Sequence, residues 1–302
     1  MIEILQPGLL TTIQDPGRRG YEVSGIPASG PFDPFLAQIA SHLVGNQKVL
    51  PLLEFAMIGP HFRFHQDALF AIAAYASDYF LDGKQLPQFT AALARKDSVL
   101  EFRQMQSWFG YIAFAGGLES EKILGSASTY VSGQIGKRIQ KGDLLDVQKI
   151  RSRKTGFRLD PKWLNIESEL HLLRALHTQD FTEADKNQLE NDTYKLLPQS
   201  NRMGIYLQGA GLKHSRVYRS SPALPGTVQI LPSGQPLILG PEGPTTGGYP
   251  QVATVSRSSW TALAAAKPGG LVKLRWKDVN ETRKLWDQRQ ELFKDRKAWL
   301  KI

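Results

Sequence analysis

The sequence predicts a mainly β protein built from two β-barrel or sandwich units. Three observations support this: many short apolar or alternating runs, Gly- and Pro-containing turns between them, and few segments with helical periodicity. The chain has 302 residues, of which 41% are hydrophobic and 22% charged, enough for two buried cores. We expect 1–150 to form the first unit, 151–161 a basic connector, 162–277 the second unit and 278–302 an amphipathic helix.

Strands in the first unit are predicted from alternation and from turn residues. Ile2 and Ile4 alternate with polar neighbours, and Phe62 and Phe64 do the same. The pair Asp82-Gly83 is typical of a two-residue hairpin turn. The predicted strands and hairpin cover 2–4, 9–14, 62–64, 68–76, 79–86, 99–102, 108–115 and 142–147.

One helix is predicted within the first unit. Asp33 has the side chain of an N-cap, and Pro34 suits the first helical position, where no N–H is needed. Apolar residues then follow at helical spacing up to Leu43, and Gly45 is a natural residue to end the helix.

The second unit has the same character. Its predicted strands are 170–176, 202–207, 227–231, 236–239, 252–255 and 271–276, with helices starting near Thr182 and over 258–267. The final segment carries apolar pairs every seven residues, which predicts a helix with a narrow apolar stripe. Such a helix either lies on its own domain or faces a partner. We expect a chain that ends at Trp276 to keep both units folded.

The composition excludes several classes of protein. The net charge is +9, but all of it comes from 151–158 and 273–302, which favours solvated basic segments over a nucleic-acid surface. The chain has no cysteine, so it has no disulfide, thiol nucleophile or Cys-ligated metal. No apolar run approaches membrane-spanning length and no secretory signal opens the chain, so we expect a cytoplasmic protein without a membrane partner.

Common catalytic motifs are missing from the sequence. The segment around Gly136-Lys137 lacks the first glycine and the hydroxyl residue of a Walker A loop. His61 and His65 lie on a predicted strand with Arg63 between them, and that cation opposes metal binding, so we expect no metal site. Glycine-, serine- and threonine-rich loops over 15–34, 116–143, 199–204 and 232–250 are the candidate binding segments.

The motifs in these loops resemble one known family. In order along the chain they are 7–18, 25–34, 43–46, 115–118, 124–126, 200–204, 225–229, 232–236 and 245–250. Their order and spacing are similar to the biotin-dependent carboxyltransferase-like family, also called allophanate hydrolase subunit 2-like, over about 1–277. Stand-alone members include the C subunit of 5-oxoprolinase. The segment 240–244 departs from the pattern, because the family usually has an Asp-containing segment there.

The resemblance implies cyclophilin-like β-barrel units and a role in a larger enzyme. The implied partners are proteins similar to the B and A subunits of 5-oxoprolinase, and the complex hydrolyses the lactam of 5-oxo-L-proline to give L-glutamate with ATP. It implies ATP at the level of the complex, with no metal or biotin attached to this chain. The alternatives are a regulatory protein that antagonises a kinase inhibitor, or the carboxyltransferase component of a urea carboxylase/allophanate hydrolase system.

Four of the candidate binding residues suit an anion. Arg18 and Arg202 carry planar, permanently charged groups that match a carboxylate or phosphate, with a structural salt bridge as the alternative. Thr245, Thr246 and the backbone at 247–248 present donors in the manner of an anion-binding nest, with a plain turn as the alternative. We expect Arg202 to be exposed, and therefore dispensable for folding.

The other candidates are neutral or acidic. Asp15 and Asp33 are candidate catalytic residues, although Asp33 also serves as a helix cap. Gln14 and Ser29 are candidate hydrogen-bonding residues for a substrate, and Tyr249 is a candidate to stack on a ring or close a pocket. The sequence does not identify which residue transfers a proton.

Overall fold

The computed structural model describes residues 1–75, 77–105, 107–148, 156–164, 168–214 and 218–302, and the mainly β class is confirmed. The four helices of these residues are α1 (Pro34–Leu43), α2 (Glu183–Asn191), α3 (Trp260–Ala265) and α4 (Val279–Glu291). The strands are β1 (Ile2–Gln6), β2 (Leu10–Gln14), β3 (Leu52–Ala56), β4 (His61–Phe64), β5 (Ala68–Ala73), β6 (Ser77–Leu81), β7 (Lys84–Gln85), β8 (Ala91–Ala94), β9 (Val99–Met105), β10 (Phe109–Phe114), β11 (Leu144–Leu145), β12 (Phe157–Leu159), β13 (Glu169–Arg174), β14 (Thr193–Leu196), β15 (Gly204–Gln208), β16 (Ser221–Pro222), β17 (Thr227–Ile230), β18 (Pro236–Leu239), β19 (Thr246–Gly247), β20 (Gln251–Val255), β21 (Leu271–Trp276) and β22 (Trp299–Lys301).

The chain forms two structural units. Unit 1 comprises Met1–Arg18, Ser29–Asn165 and Leu292–Ile302, and unit 2 comprises Arg19–Ala28 and Ile166–Glu291. The boundary between the units falls between residues 165 and 166, beyond the expected connector 151–161, of which 151–155 lies outside the described residues. Two short segments belong to the unit that is formed mainly by the other half of the chain: 19–28 belongs to unit 2, and 292–302 belongs to unit 1. No pattern in the sequence had indicated this.

Unit 1 contains a six-stranded sheet, in the order β11-β1-β4-β9-β6-β7, and a five-stranded sheet, in the order β2-β3-β10-β5-β8. Alternation places Ile2, Ile4, Phe62 and Phe64 in its core, as the sequence predicted, and all four are fully buried. β5 and β10 are buried along their whole length, because they pair side by side in the five-stranded sheet.

Unit 2 contains a closed barrel with the strand order β13-β20-β17-β18-β15-β14-β21, in which β13 and β21 pair in parallel. Alternate residues fill its interior, among them Leu172, Val228 and Ile230. A separate two-stranded ribbon is formed by β16 and β19, with Ser221 opposite Gly247 and Pro222 opposite Thr246. We call this pair of strands the ribbon.

The end of the chain differs from the predicted helix over 278–302. Helix α4 ends at Glu291, and the chain continues into β22, which pairs with β12 in unit 1. Within unit 2, α4 packs on its own domain: Arg289 donates to the hydroxyl of Thr261 at 2.7 Å, and the Arg257 guanidinium lies 4.2 Å from the Trp286 ring centre. The seven-residue apolar spacing therefore spans a helix, a turn and a strand.

Two features are absent from the described residues. No helix formed by them has both the length and the apolar content required to cross a bilayer. Among these same residues, no group of three or more His, Asp or Glu side chains is arranged to hold a metal ion.

Candidate functional site

The nine candidate residues are divided between the two units, and each group is described within its own unit. Unit 1 holds Gln14, Asp15, Arg18, Ser29 and Asp33. Unit 2 holds the remaining four, which are Arg202, Thr245, Thr246 and Tyr249.

The buried Asp15 carboxylate organises the end of β2 in unit 1. Its Oδ1 accepts hydrogen bonds from the hydroxyl of Ser126, from the hydroxyl of Ser128 at 2.8 Å and from the backbone N–H of Gly17 at 3.0 Å. Its Oδ2 accepts one from the backbone N–H of Ala127 at 2.9 Å. This carboxylate therefore fastens the 126–128 loop to the end of β2.

The same contacts set the protonation state of Asp15. Burial by itself raises the pKa of this carboxyl, but the hydrogen bonds from Ser126, Ala127, Ser128 and Gly17 outweigh burial and hold the pKa below its usual value. The group is therefore ionised at neutral pH. A carboxylate with a low pKa is a weak general base, so the arrangement suits positioning better than proton transfer.

We expect Ser126→Ala to make the protein more sensitive to acid. Because the folded pKa of Asp15 is depressed, its contribution to stability is present above the unfolded pKa and is lost as the pH falls through the folded value. Removing the Ser126 hydroxyl raises the folded pKa, so acid unfolding should begin at a higher pH. The neutral-pH stability should fall by about 1.5–3 kcal/mol, the usual contribution of a hydrogen bond to a charged group.

The test is urea denaturation at several pH values, with Ser120→Ala as the control. Within the part of the chain that the structure describes, the Ser120 hydroxyl makes one exposed contact, at 3.5 Å to the neighbouring Glu121 carbonyl. Ser120→Ala should therefore change neither the acid sensitivity nor the stability at neutral pH. Equal acid sensitivity of the two variants would contradict the role assigned to Asp15.

Arg18 and Ser29 lie together in the interior of unit 1. The Arg18 guanidinium, 2% exposed, donates through Nη1 to the Ser29 hydroxyl at 3.0 Å and through Nη2 to the carbonyl of Ser128. Next to Ser29, Gly30 has φ of +84°, and a Cβ there would lie 3.3 Å from the carbonyl oxygen of Asp15. Arg18 therefore joins three loop segments, and the structure brings it together with Asp15 and Ser29 as one network.

Gln14 and Asp33 have different surroundings. Gln14 is fully buried, and its Nε2 donates to Thr12 Oγ1 at 3.0 Å and to the Thr129 carbonyl at 3.1 Å. Its Oε1 has no hydrogen-bond partner among the described residues. Asp33 caps α1 by accepting from the Phe35 N–H at 2.9 Å, and its own N–H donates to the hydroxyl of Tyr111 at 2.7 Å. The capping role that the sequence indicated for Asp33 is thus present.

Arg202 is buried, contrary to the expectation that it is exposed. It is 4% exposed, and its Nε lies 2.5 Å from Oε1 of Glu242, which is 5% exposed. The backbones of the two segments are also joined, since the Glu242 N–H donates to the Arg202 carbonyl at 3.0 Å. The segment 240–244, where the sequence departs from the family pattern, therefore supplies the counter-charge of Arg202.

The Thr245–Tyr249 segment is extended and does not form a nest. Thr246 and Gly247 form β19 of the ribbon, and neither Gly247 nor Gly248 has the positive φ that a nest requires. The carbonyl of Thr245 accepts from the Ala223 N–H at 2.9 Å, and Tyr249 is 42% exposed.

Two glutamines that were not predicted as site residues lie next to the ribbon. Gln229 on β17 and Gln251 on β20 are cross-strand partners, and both are at most 5% exposed. The Nε2 of Gln251 donates to the Ser221 hydroxyl at 3.0 Å and to the Pro222 carbonyl at 2.9 Å. Gln251 thereby holds β16 of the ribbon, and Gln229 lies against Gly247 of β19.

A histidine and a tyrosine lie close to Gln251. The Nδ1 of His177 accepts from the Gln251 N–H at 3.0 Å, and the His177 and Tyr218 ring centres are 4.4 Å apart. Burial lowers the pKa of His177, with Asp180 opposing this effect, so the ring is neutral at neutral pH. The His177 ring therefore adds no positive charge beside Gln251.

Comparison with known proteins assigns the chain to a family. The family model described as the carboxyltransferase domain, subdomain A and B, matches residues 24–276. The chain belongs to this carboxyltransferase family. The resemblance read from the sequence motifs is therefore confirmed.

Two curated relatives match this chain along almost its whole length. The C subunit of 5-oxoprolinase from Escherichia coli strain K12 is 30% identical, with 99% of this chain and 98% of the relative covered. The same subunit from Haemophilus influenzae is 29% identical, with 98% and 97% covered. The crystal structure of Kluyveromyces lactis urea carboxylase matches with a TM-score of 0.88 and 25% identity, covering 99% of this chain and 30% of the larger one.

Several residues that build these sites were not selected from the sequence. Ser126 and Gln229 lie inside the recognised motifs 124–126 and 225–229, and Glu242 lies in the segment that departs from the pattern. The motifs indicated important segments, but the partners of each side chain depend on contacts between residues far apart in the chain. Arg202 and Glu242, for example, are 40 residues apart.

Proposed function

We propose that this chain is one component of an ATP-dependent 5-oxoprolinase complex that opens 5-oxo-L-proline to L-glutamate. Its partners would be proteins similar to the B and A subunits of 5-oxoprolinase, called here the B-like and A-like partners. An enzyme of this kind, which consumes ATP, would work in the cytoplasm.

The observation that carries this proposal is the reciprocal coverage of the curated relatives. The chain and the C subunit of Escherichia coli 5-oxoprolinase cover each other almost completely, at 99% and 98%. In the urea carboxylase of Kluyveromyces lactis, by contrast, the match occupies 30% of a larger chain. Similarity over nearly the whole of a relative named as the C subunit of 5-oxoprolinase supports the role of that subunit for this chain.

The chemistry explains why such an enzyme needs several components. A lactam carbonyl is a poor electrophile, and transfer of the γ-phosphoryl group of ATP to its oxygen creates a good leaving group. Water then adds to that carbon, the ring nitrogen takes up a proton and leaves as the amine, and the ring opens to γ-glutamyl phosphate. A second water hydrolyses this acyl phosphate, so the products are glutamate, ADP and phosphate. Since this chain has no Walker A loop, we assign nucleotide binding to the partners.

A second candidate function is carboxyl transfer. The family model carries the carboxyltransferase name, and the fold matches a urea carboxylase over 99% of this chain. In that case activity would depend on a biotinylated carrier protein.

The test is reconstitution from separately purified proteins. The chain alone should neither hydrolyse ATP nor open 5-oxoproline. Mixed with its B-like and A-like partners, it should release glutamate only when ATP and 5-oxoproline are both present, and omission of any one protein should abolish the release. Glutamate is measured by chromatography after derivatisation.

The other outcomes separate the alternatives. Carboxylation that requires biotinylated carrier would support the carboxyltransferase function. A tight complex that releases no glutamate and instead changes the activity of a kinase would support the regulatory alternative. Either result, with assembly verified by size-exclusion chromatography, would overturn the proposed lactam hydrolysis.

A further inference from the structure

Gln229 carries a buried amide group whose hydrogen-bonding capacity is not used within the described chain. The side chain is 2% exposed, and its Nε2 has no hydrogen-bond partner among the residues that the structure describes. The unmet group of this side chain is thus the Nε2 donor. Native proteins pair nearly all buried polar groups, because an unpaired one is costly, so this amide needs an explanation.

Two other glutamines of the same unit show that the barrel can satisfy such groups. Gln235 is paired at both atoms: its Oε1 accepts from the Gly209 N–H at 3.0 Å, and its Nε2 donates to the Gly209 carbonyl at 3.1 Å. Gln251, the cross-strand partner of Gln229, uses its Nε2 twice to hold β16. The unpaired state is therefore particular to Gln229 among these three.

The ribbon is shaped to leave room for the Gln229 amide. A Cβ at Gly247 would lie 2.5 Å from Gln229 Nε2, so a side chain at this position of β19 would displace the amide. Gly247 lies between Thr246 and Gly248, in the candidate binding segment 232–250. The amide thus lies directly beside that segment.

The chemistry of a primary carboxamide defines what it would recognise. It presents an N–H donor and a C=O acceptor side by side, and so it pairs best with a group that presents an acceptor and a donor on one edge. A cyclic amide or cyclic urea has this edge, because the ring forces the N–H and C=O into the cis arrangement. Ordinary peptide bonds are trans and do not offer it.

We propose that Gln229 is a binding residue for the cis N–H/C=O edge of a lactam or cyclic urea, with Nε2 donating to the ligand carbonyl and Oε1 accepting from the ligand N–H. In its lactam form the inference rests on the proposed function, since 5-oxoproline is a lactam. It goes further by naming the residue and the two atoms that select the substrate.

The experiment measures ligand binding to the full chain by saturation-transfer NMR. We expect signals from 5-oxo-L-proline and 2-pyrrolidinone. N-methyl-2-pyrrolidinone, which lacks the N–H, and L-proline, which lacks the ring carbonyl, should each give a signal at least tenfold weaker. The variant Gln229→Met should lower the 5-oxoproline and 2-pyrrolidinone signals by at least tenfold, and Gly247→Ala should weaken them by displacing the amide.

A stability measurement separates a binding role from a structural one. Because the Nε2 of Gln229 makes no hydrogen bond among the described residues, Gln229→Met should leave the Tm unchanged or raise it. The matched variant Gln251→Met removes two hydrogen bonds and should lower the Tm by about 4 °C. A fall in the Tm of Gln229→Met as large as that of Gln251→Met would show a structural role and overturn the proposal.

The ligand series also distinguishes this inference from the proposed function. If 2-imidazolidinone, a cyclic urea, binds through Gln229 while 5-oxoproline does not, the edge recognition stands and the 5-oxoprolinase function fails. If N-methyl-2-pyrrolidinone binds as well as 2-pyrrolidinone, or if Gln229→Met binds every compound as the unchanged chain does, the inference itself is overturned.

Discussion

Replacing Arg202 with alanine is expected to destabilise unit 2 by about 3–5 kcal/mol, because it leaves the Glu242 carboxylate buried without its counter-charge. Both side chains are at most 5% exposed, and the Nε–Oε1 distance is 2.5 Å. Backbone hydrogen bonds fix the two segments against each other, so the structure cannot easily relax to admit water. Equilibrium urea denaturation measures the change.

Three further variants make the test specific. Glu242→Ala should be destabilising by a comparable amount, since it removes the carboxylate that faces the buried Arg202 guanidinium. The double variant Arg202→Met with Glu242→Met should recover most of the loss, because apolar side chains of similar volume can replace a buried ion pair. Arg219→Ala removes an exposed arginine of the same unit and should change stability by less than about 0.5 kcal/mol.

A loss below about 1 kcal/mol in Arg202→Ala would show that the ion pair does not stabilise the unit.

The ion pair of Arg202 and Glu242 also changes how activity data for Arg202 variants should be interpreted. A fall in kcat/KM in the reconstituted complex can be assigned to substrate binding by Arg202 only if the double variant, which restores the fold, is equally inactive.

The strands and the first helix followed from local patterns. The alternation at Ile2 and Ile4 and the capping pair Asp33-Pro34 act over a few residues, so the sequence shows them directly. β3 was missed because Glu54 interrupts its apolar run. That glutamate is buried, and its Oε2 accepts from the Phe32 N–H at 2.7 Å, a contact that no local pattern reveals.

The candidate sites were less predictable because their chemistry depends on distant pairing. Arg18 looks like an anion-binding group in sequence, yet it donates to Ser29 and to the carbonyl of Ser128, 110 residues away. Gln229 is the last residue of the recognised motif 225–229, but its significance comes from the unpaired state of its buried Nε2. Motifs therefore located the segments, while contacts between segments gave the side chains their roles.

The C-terminal segment packs on α1 through an aromatic cluster formed by Phe35, His42, Phe157, Phe293 and Trp299. The ring centres of His42 and Trp299 are 4.2 Å apart, and those of Phe293 and Trp299 are 5.8 Å apart. Trp299 is 7% exposed, and its indole N–H donates to the Leu292 carbonyl at 2.7 Å. A chain that ends at Trp276 would lose this packing. The prediction that such a chain keeps both units folded was made without it.

Truncation after Glu291 is therefore expected to destabilise unit 1 by more than the about 3–5 kcal/mol typical of a single Trp→Ala change in a core. It removes the buried Leu292, Ala298 and Trp299 together with the pairing of β22 to β12. The point variant Trp299→Ala should give a loss within that range. Leu300→Ala, at a neighbouring residue that is 56% exposed, is the control and should have almost no effect.

The pKa of His42 gives this last prediction a local signal that unfolding elsewhere would not produce. Burial lowers the pKa of His42 in the intact chain. When the segment after Glu291 is removed, the imidazole gains water on the side where Phe293 and Trp299 had packed, so its pKa should rise toward the usual value of about 6.5. NMR titration of the histidine ring protons measures this shift. A truncated chain in which both the stability of unit 1 and the pKa of His42 are unchanged would show that the segment does not stabilise α1.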